Sequence, residues 1–144
     1  MNHYLMSFST KKIKISLGFL LNVLFFFIFI FKNSLSFEVN QVAEGLFVHF
    51  GEQDDSNDKN NGDIANIGFI VGSKSIAVID TGGTPEIGRN LLKKIKETSS
   101  LPISHVIITH SHPDHFFGTE AFTNDEVKII GHEKLERALI TNFE

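Results

Sequence analysis

With 144 residues the chain amounts to one domain or less. It has no cysteine, which excludes a disulfide scaffold, a thiolate zinc knuckle, a cysteine nucleophile and a lipoprotein-type attachment site. Residues 1–36 carry four lysines and no acid, whereas the rest carries nine basic and seventeen acidic side chains, a formal charge of −8 that argues against nucleic acid or anionic lipid as a partner.

At the N-terminus, Lys11, Lys12 and Lys14 precede Ile15–Phe31, an apolar run broken only by Ser16, Gly18 and Asn22. Ser34-Leu35-Ser36 then offers small residues at the two positions a signal peptidase reads. This pattern predicts a secretory signal peptide over 1–36 and an exported body over 37–144, periplasmic or secreted. The run is slightly short of a membrane span of about 20 residues. The alternative is an uncleaved anchor in the inner membrane through residues 15–31, with its basic end in the cytoplasm.

In the body, Phe37 to Glu44 reads as a lead-in. Leu46, Val48 and Phe50 alternate with Phe47 and His49, predicting a half-buried strand with His49 on the outer face. Glu52–Asp63 contains no apolar side chain and reads as a mobile, solvated loop that could flank a nearby site. Its spacing lacks the glycine and terminal glutamate of an EF-hand, so calcium is not expected there.

Ile67–Val71 and Ile76–Ile79 are β-branched runs joined across Gly72–Ser75, predicting a hairpin of buried strands. After Asp80-Thr81-Gly82-Gly83, a helix start is legible. Thr84 suits the N-cap, Pro85 the first helical position and Glu86 the positive end of the dipole. Ile87, Leu91, Leu92 and Ile95 form its apolar stripe, while Arg89, Lys93, Lys94 and Lys96 face water. Pro102 ends that region and Ile103–Thr109 forms the next buried strand, completing a right-handed βαβ unit. Val127–Ile130 predicts a further strand and Glu133–Ile140 an amphipathic helix.

The densest chemistry stands between them. Thr109-His110-Ser111-His112-Pro113-Asp114-His115 holds three imidazoles and a carboxylate at the carboxyl end of a strand, where such sheets place their sites. His110 and His112 are two apart, so in extended backbone both can reach one metal at about 2.0–2.1 Å. Pro113 then turns the chain, sending Asp114 and His115 toward an adjacent second ion. Zinc suits this nitrogen and oxygen set, and manganese and ferrous iron suit it too. His3, His105 and His132 read as structural, His105 as preceding its strand.

His110-Ser111-His112-Pro113-Asp114-His115 resembles the H-x-H-x-D-H signature of the metallo-β-lactamase superfamily, and Asp80-Thr81-Gly82 resembles that family's upstream aspartate motif. The resemblance runs from about residue 40 onward. Asp63–Gly72 with Thr109–Gly118 looks like the exported branch associated with sulfur oxidation and quinoprotein systems (SoxH-like proteins). Asp114-His115 also resembles glyoxalase II-type thioesterases.

The resemblance implies an α/β fold, a four-layer αββα sandwich of two similar halves. It implies one or two zinc ions, the first on His110 and His112, the second on Asp114 and His115. Asp80 would brace the ligand loop by hydrogen bonds. The implied reaction is hydrolysis by zinc-activated water of an ester, thioester or amide-type small-molecule substrate, with Asp114 a ligand that also orients or relays a proton. The family takes a further histidine, a bridging aspartate and a final histidine from its C-terminal half. After His115 this chain has only His132, whose context matches none of these. The expectation is thus an N-terminal half that needs a missing C-terminal half as partner. Its alternative is a truncated, catalytically incomplete fragment that at most binds metal. A membrane-anchored module binding through Glu52–Asp63 is disfavoured by the motif.

Overall fold

Short runs of β-branched and aromatic residues between Asn40 and Gly131 build one six-stranded sheet, seen in a computed structural model that describes residues 37–124 and 126–143. The expected signal or anchor segment at 1–36 lies outside the described residues. The strands are β1 (Asn40–Ala43), β2 (Leu46–His49), β3 (Ile67–Val71), β4 (Ile76–Ile79), β5 (Ile103–Ile108) and β6 (Lys128–Gly131), and they lie in sequence order. β1 to β4 form an antiparallel meander, whereas β4, β5 and β6 run parallel.

Parallel neighbours need a crossover, and the chain supplies two. The first is helix α1 (Pro85–Thr98); the second combines a short helix α2 (Pro113–Phe116) with a 3₁₀ helix (Phe117–Phe122). Helix α3 (Leu135–Phe143) follows β6. Among the described residues, no helix is long and apolar enough to cross a membrane.

The core lies between the sheet and α1. Ile67, Phe69, Ile76, Val78, Val106 and Ile108 face Ile87, Leu91 and Ile95 of the helix, with Phe122 closing one side. The α1 start is as the residues predict: Thr84 is extended (φ −144°, ψ 157°) and its hydroxyl accepts from the Ile87 N–H. Thr84→Ala leaves that donor without its cap and is expected to cost about 1 kcal/mol, measured by chemical unfolding.

The hairpin and the βαβ order match the sequence reading, and four details differ. Asn40–Ala43 is an edge strand rather than a lead-in. His105 lies inside β5, not before it, with its Nδ1 2.8 Å from the Ser104 hydroxyl. Glu52–Asp63 is largely exposed but internally hydrogen bonded, and its Asn60 is only 5% exposed. Finally, β2 faces the other way from the prediction. Phe47 and His49 point to the core side, because they pair with Phe69 and Ile67, whose side chains are already buried there. Phe47 stacks on Phe69 at 4.8 Å between ring centroids. Phe50 is left 56% exposed.

On the opposite face, alternation places Leu46, Val48, Ile70, Ala77, Ile79, Ile107 and Ile130. Ile70 and Ile130 are each 44% exposed. The described residues thus supply one sheet and one covering helical layer, part of the αββα arrangement.

Candidate metal centre

The parallel pairing of β4 with β5 brings their carboxyl ends side by side, and Asp80 N donates to the Ile107 carbonyl at 2.9 Å. Asp80 then takes a left-handed backbone conformation (φ 54°). That region is costly for most side chains and is tolerated best by glycine, asparagine and aspartate. Here it turns a 3% exposed carboxylate onto the start of the loop after β5. Oδ1 accepts from Thr109 N at 2.8 Å, and Oδ2 accepts from Thr109 Oγ1 at 2.7 Å and from His115 Nδ1 at 2.8 Å.

These bonds select tautomers. Because His115 Nδ1–H donates to Asp80, a neutral His115 presents an unprotonated Nε2. Thr109 spends its hydroxyl hydrogen on Asp80, so its oxygen accepts from His110 Nδ1 at 2.9 Å, and His110 also presents a bare Nε2. One buried carboxylate therefore orients two imidazoles, one directly and one through Thr109.

Each bare nitrogen faces a second donor atom. His110 Nε2 lies 3.1 Å from His112 Nδ1, and His115 Nε2 lies 3.3 Å from Asp114 Oδ2. Two ligand atoms on tetrahedral zinc stand about 3.3 Å apart, given bonds of about 2.0–2.1 Å. A lone pair opposite a carboxylate oxygen is repulsive unless a proton or cation lies between them. The donor chemistry and both separations thus fit zinc. The His110 and His115 rings lie 4.0 Å apart, so the two pairs are neighbours. Among the described residues, no group of three or more His, Cys, Asp or Glu is placed to hold a single ion.

The loop is clamped from behind. Pro113 opens α2 after His112, and His115 N donates back to the His112 carbonyl at 3.0 Å. Thr81 N donates to the His115 carbonyl at 2.8 Å and Gly118 N to the Gly82 carbonyl at 2.9 Å. Thr81 and Thr119 hydroxyls meet at 3.0 Å. The Asp80–Gly83 turn and the segment that carries the donors are thus tied together by backbone and hydroxyl hydrogen bonds. His105 is placed apart from the cluster on β5, and His132 bonds locally to Lys134 N.

Sequence reasoning missed His49 and Asp63. His49 is 7% exposed, donating through Nδ1 to the Glu38 carbonyl at 2.7 Å and through Nε2 to Asp63 at 2.8 Å. Burial pulls its pKa down, but the Asp63 hydrogen bond, the Glu38 carbonyl and the Asp63 charge together outweigh burial, leaving it above 6.5. The available signal was the shared parity of His49 with Phe47, which puts both on one face.

The sequence profile of the Metallo-beta-lactamase superfamily matches residues 60–144. A linear primary-alkylsulfatase of a Pseudomonas species is 31% identical over 79 residues, covering 51% of this chain and 15% of the relative. The alkyl/aryl-sulfatase BDS1 of Saccharomyces cerevisiae is 36% identical over 75 residues, covering 47% of this chain and 12% of the relative. The metallo-beta-lactamase FIM-1 from Pseudomonas aeruginosa, solved in a mono-zinc form, superposes with a TM-score of 0.59 at 18% identity. That match covers 73% of this chain and 46% of the structure, and it shows the fold alone. The chain spans less than a fifth of the curated relatives it matches.

Proposed function

The chain belongs to the metallo-beta-lactamase superfamily, and on that premise we propose that it serves a zinc-dependent hydrolase acting outside the cytoplasm on an alkyl sulfate ester. The observation that carries the metal is the pair of bare imidazole nitrogens aimed at second donors by Asp80. The substrate class is supported by the alkylsulfatase names of both curated relatives. A thioester or lactam is the competing substrate, suggested by the wider family.

His110 and His112 would hold one ion, Asp114 and His115 a second, with manganese or ferrous iron as substitutes. A bound ion supplies Lewis-acid polarisation and acidifies water toward a pKa of about 7. The chain's own part is to keep the His110 and His115 lone pairs in place and to aim the Asp114 carboxylate beside His115. Asp114 would also orient the substrate or relay a proton. Zinc sites use three or four protein ligands, so each pair would take further donors beyond the described residues, as a C-terminal half would supply. Residues 1–36 would direct export or anchor the body.

Zinc analysis of the purified chain, wild type against His110→Ala/His112→Ala, tests the metal. The double variant is expected to lose at least about tenfold in affinity. Equal zinc in both would overturn the reading. Sulfate release from a primary alkyl sulfate, compared with turnover of a thioester and a lactam, tests the substrate. Because no three donors converge among the described residues, a second reading has this polypeptide binding zinc without turnover; zinc uptake with no product from any of the three substrates supports it.

A further inference from the structure

Both ring nitrogens of His49 face acceptors, the Glu38 carbonyl at 2.7 Å and the two Asp63 oxygens at 2.8 and 3.0 Å. A neutral imidazole carries one N–H, so only the imidazolium fills both bonds. Phe37 stacks on the same ring at 3.9 Å between centroids. The pair therefore acts as a latch, and what it latches is the neck of the loop between β2 and β3.

That neck is closed by Glu52 N donating to the Asp63 carbonyl at 2.8 Å. Within the loop, Asn57 Oδ1 accepts from Lys59 N and Asn60 N, while Asn60 Oδ1 accepts from Asn57 N and Gly62 N. Such closed necks and internal bonds make a compact loop. Its end seats against the metal-type site. A Cβ placed on Gly83 would lie 2.6 Å from the Gly62 carbonyl oxygen and 3.2 Å from Asp114 Cα. Gly83 is thus held between the loop and the backbone of a donor residue.

We infer that His49 and Asp63 are positioning residues for the donor cluster: their bond seats Gly62 on Gly83 and thereby fixes the backbone of Asp114. The inference rests on the metal site proposed above. Neither side chain touches a donor; both act through Gly62 and Gly83. Around the ring, the loop contributes the Asp63 carboxylate, the lead-in contributes Phe37 and the Glu38 carbonyl, and β3 contributes neutral Ile67. With the folded pKa raised, the latch is complete below the ordinary histidine value of 6.5 and loosens as pH rises through the folded value.

Hydrogen–deuterium exchange and zinc titration on the full chain test this, using Asp63→Asn, which keeps size, and His49→Phe, which removes both bonds. In Asp63→Asn, exchange is expected to rise about fivefold in both 51–64 and 109–116, with zinc affinity falling roughly three- to tenfold, less than the ~10–100-fold typical for a residue bonded to a ligand. The wild-type loss of loop protection as pH rises above 6.5, after correction for intrinsic exchange, should vanish in both variants. Faster exchange confined to 51–64, with 109–116 and zinc affinity unchanged, would reduce the pair to a structural contact and overturn the inference. If the wild type binds no zinc, the metal reading falls, and joint exchange of the two segments still decides the latch.

Discussion

Asp80→Ala should destabilise the body by about 1–3 kcal/mol, as removing the shared acceptor of buried or part-buried donors does. Three donors lose their acceptor at once: Thr109 N, Thr109 Oγ1 and His115 Nδ1. Among the described residues, no buried side-chain nitrogen or oxygen now lacks a partner, and the variant would leave the part-buried His115 Nδ1 without its acceptor. Asp80→Asn separates stability from orientation. Asparagine tolerates the left-handed backbone, and its carbonyl can still accept from Thr109 N. Its amide group would then face His115 Nδ1 as a donor. That contact favours the tautomer with the proton on Nε2, which cannot ligate a metal through that nitrogen. The expected result is modest loss of thermal stability with zinc affinity down about 10–100-fold. Zinc binding at wild-type strength in Asp80→Asn would show that the carboxylate does not select the tautomer.

The second large effect is expected at Gly118. A Cβ there would overlap the Thr81 carbonyl oxygen and crowd Gly88 Cα, and a Cβ at Gly88 would overlap the Gly118 carbonyl. Both obstacles are backbone, so no rotamer change relieves them. Gly118→Ala is expected to cost about 3 kcal/mol, at the upper end of overpacking effects. The melting temperature should fall by more than about 10 °C. Because the Gly82 carbonyl holds Gly118 N and the His115 carbonyl holds Thr81 N, the strain reaches the donor loop directly. Gly88→Ala should act similarly, and the double variant should cost less than the sum, since both residues occupy one contact. An unchanged melting temperature in Gly118→Ala would mean the 3₁₀ segment can yield.

How much was readable in advance varied with the range of the interaction. Thr84-Pro85-Glu86 announced α1 because capping and dipole effects act within one turn. Ile67–Val71 and Ile76–Ile79 announced a hairpin because their composition and the Gly72–Ser75 break are local. His110, His112, Asp114 and His115 stood out because their spacing lies within six residues. The strand β1 was missed, since its exposed residues carry no alternation to read. His49 was placed on the wrong face because β2 is apolar on both sides. Only its pairing with β3 decides which side meets the core.

By itself, then, the sequence determined the donor set, the strand–helix–strand order and the family signature, all products of short-range spacing and local backbone preference. The tertiary structure decided what those donors present. The parallel register of β4 and β5 carries Asp80 across 35 residues to His115 and, through Thr109, to His110, so that two bare nitrogens point at second donors. It also carried His49 inward to Asp63 and laid Gly62 against Gly83. Such contacts join residues far apart in the chain. They depend on sheet register and on close backbone approach, which no local pattern encodes.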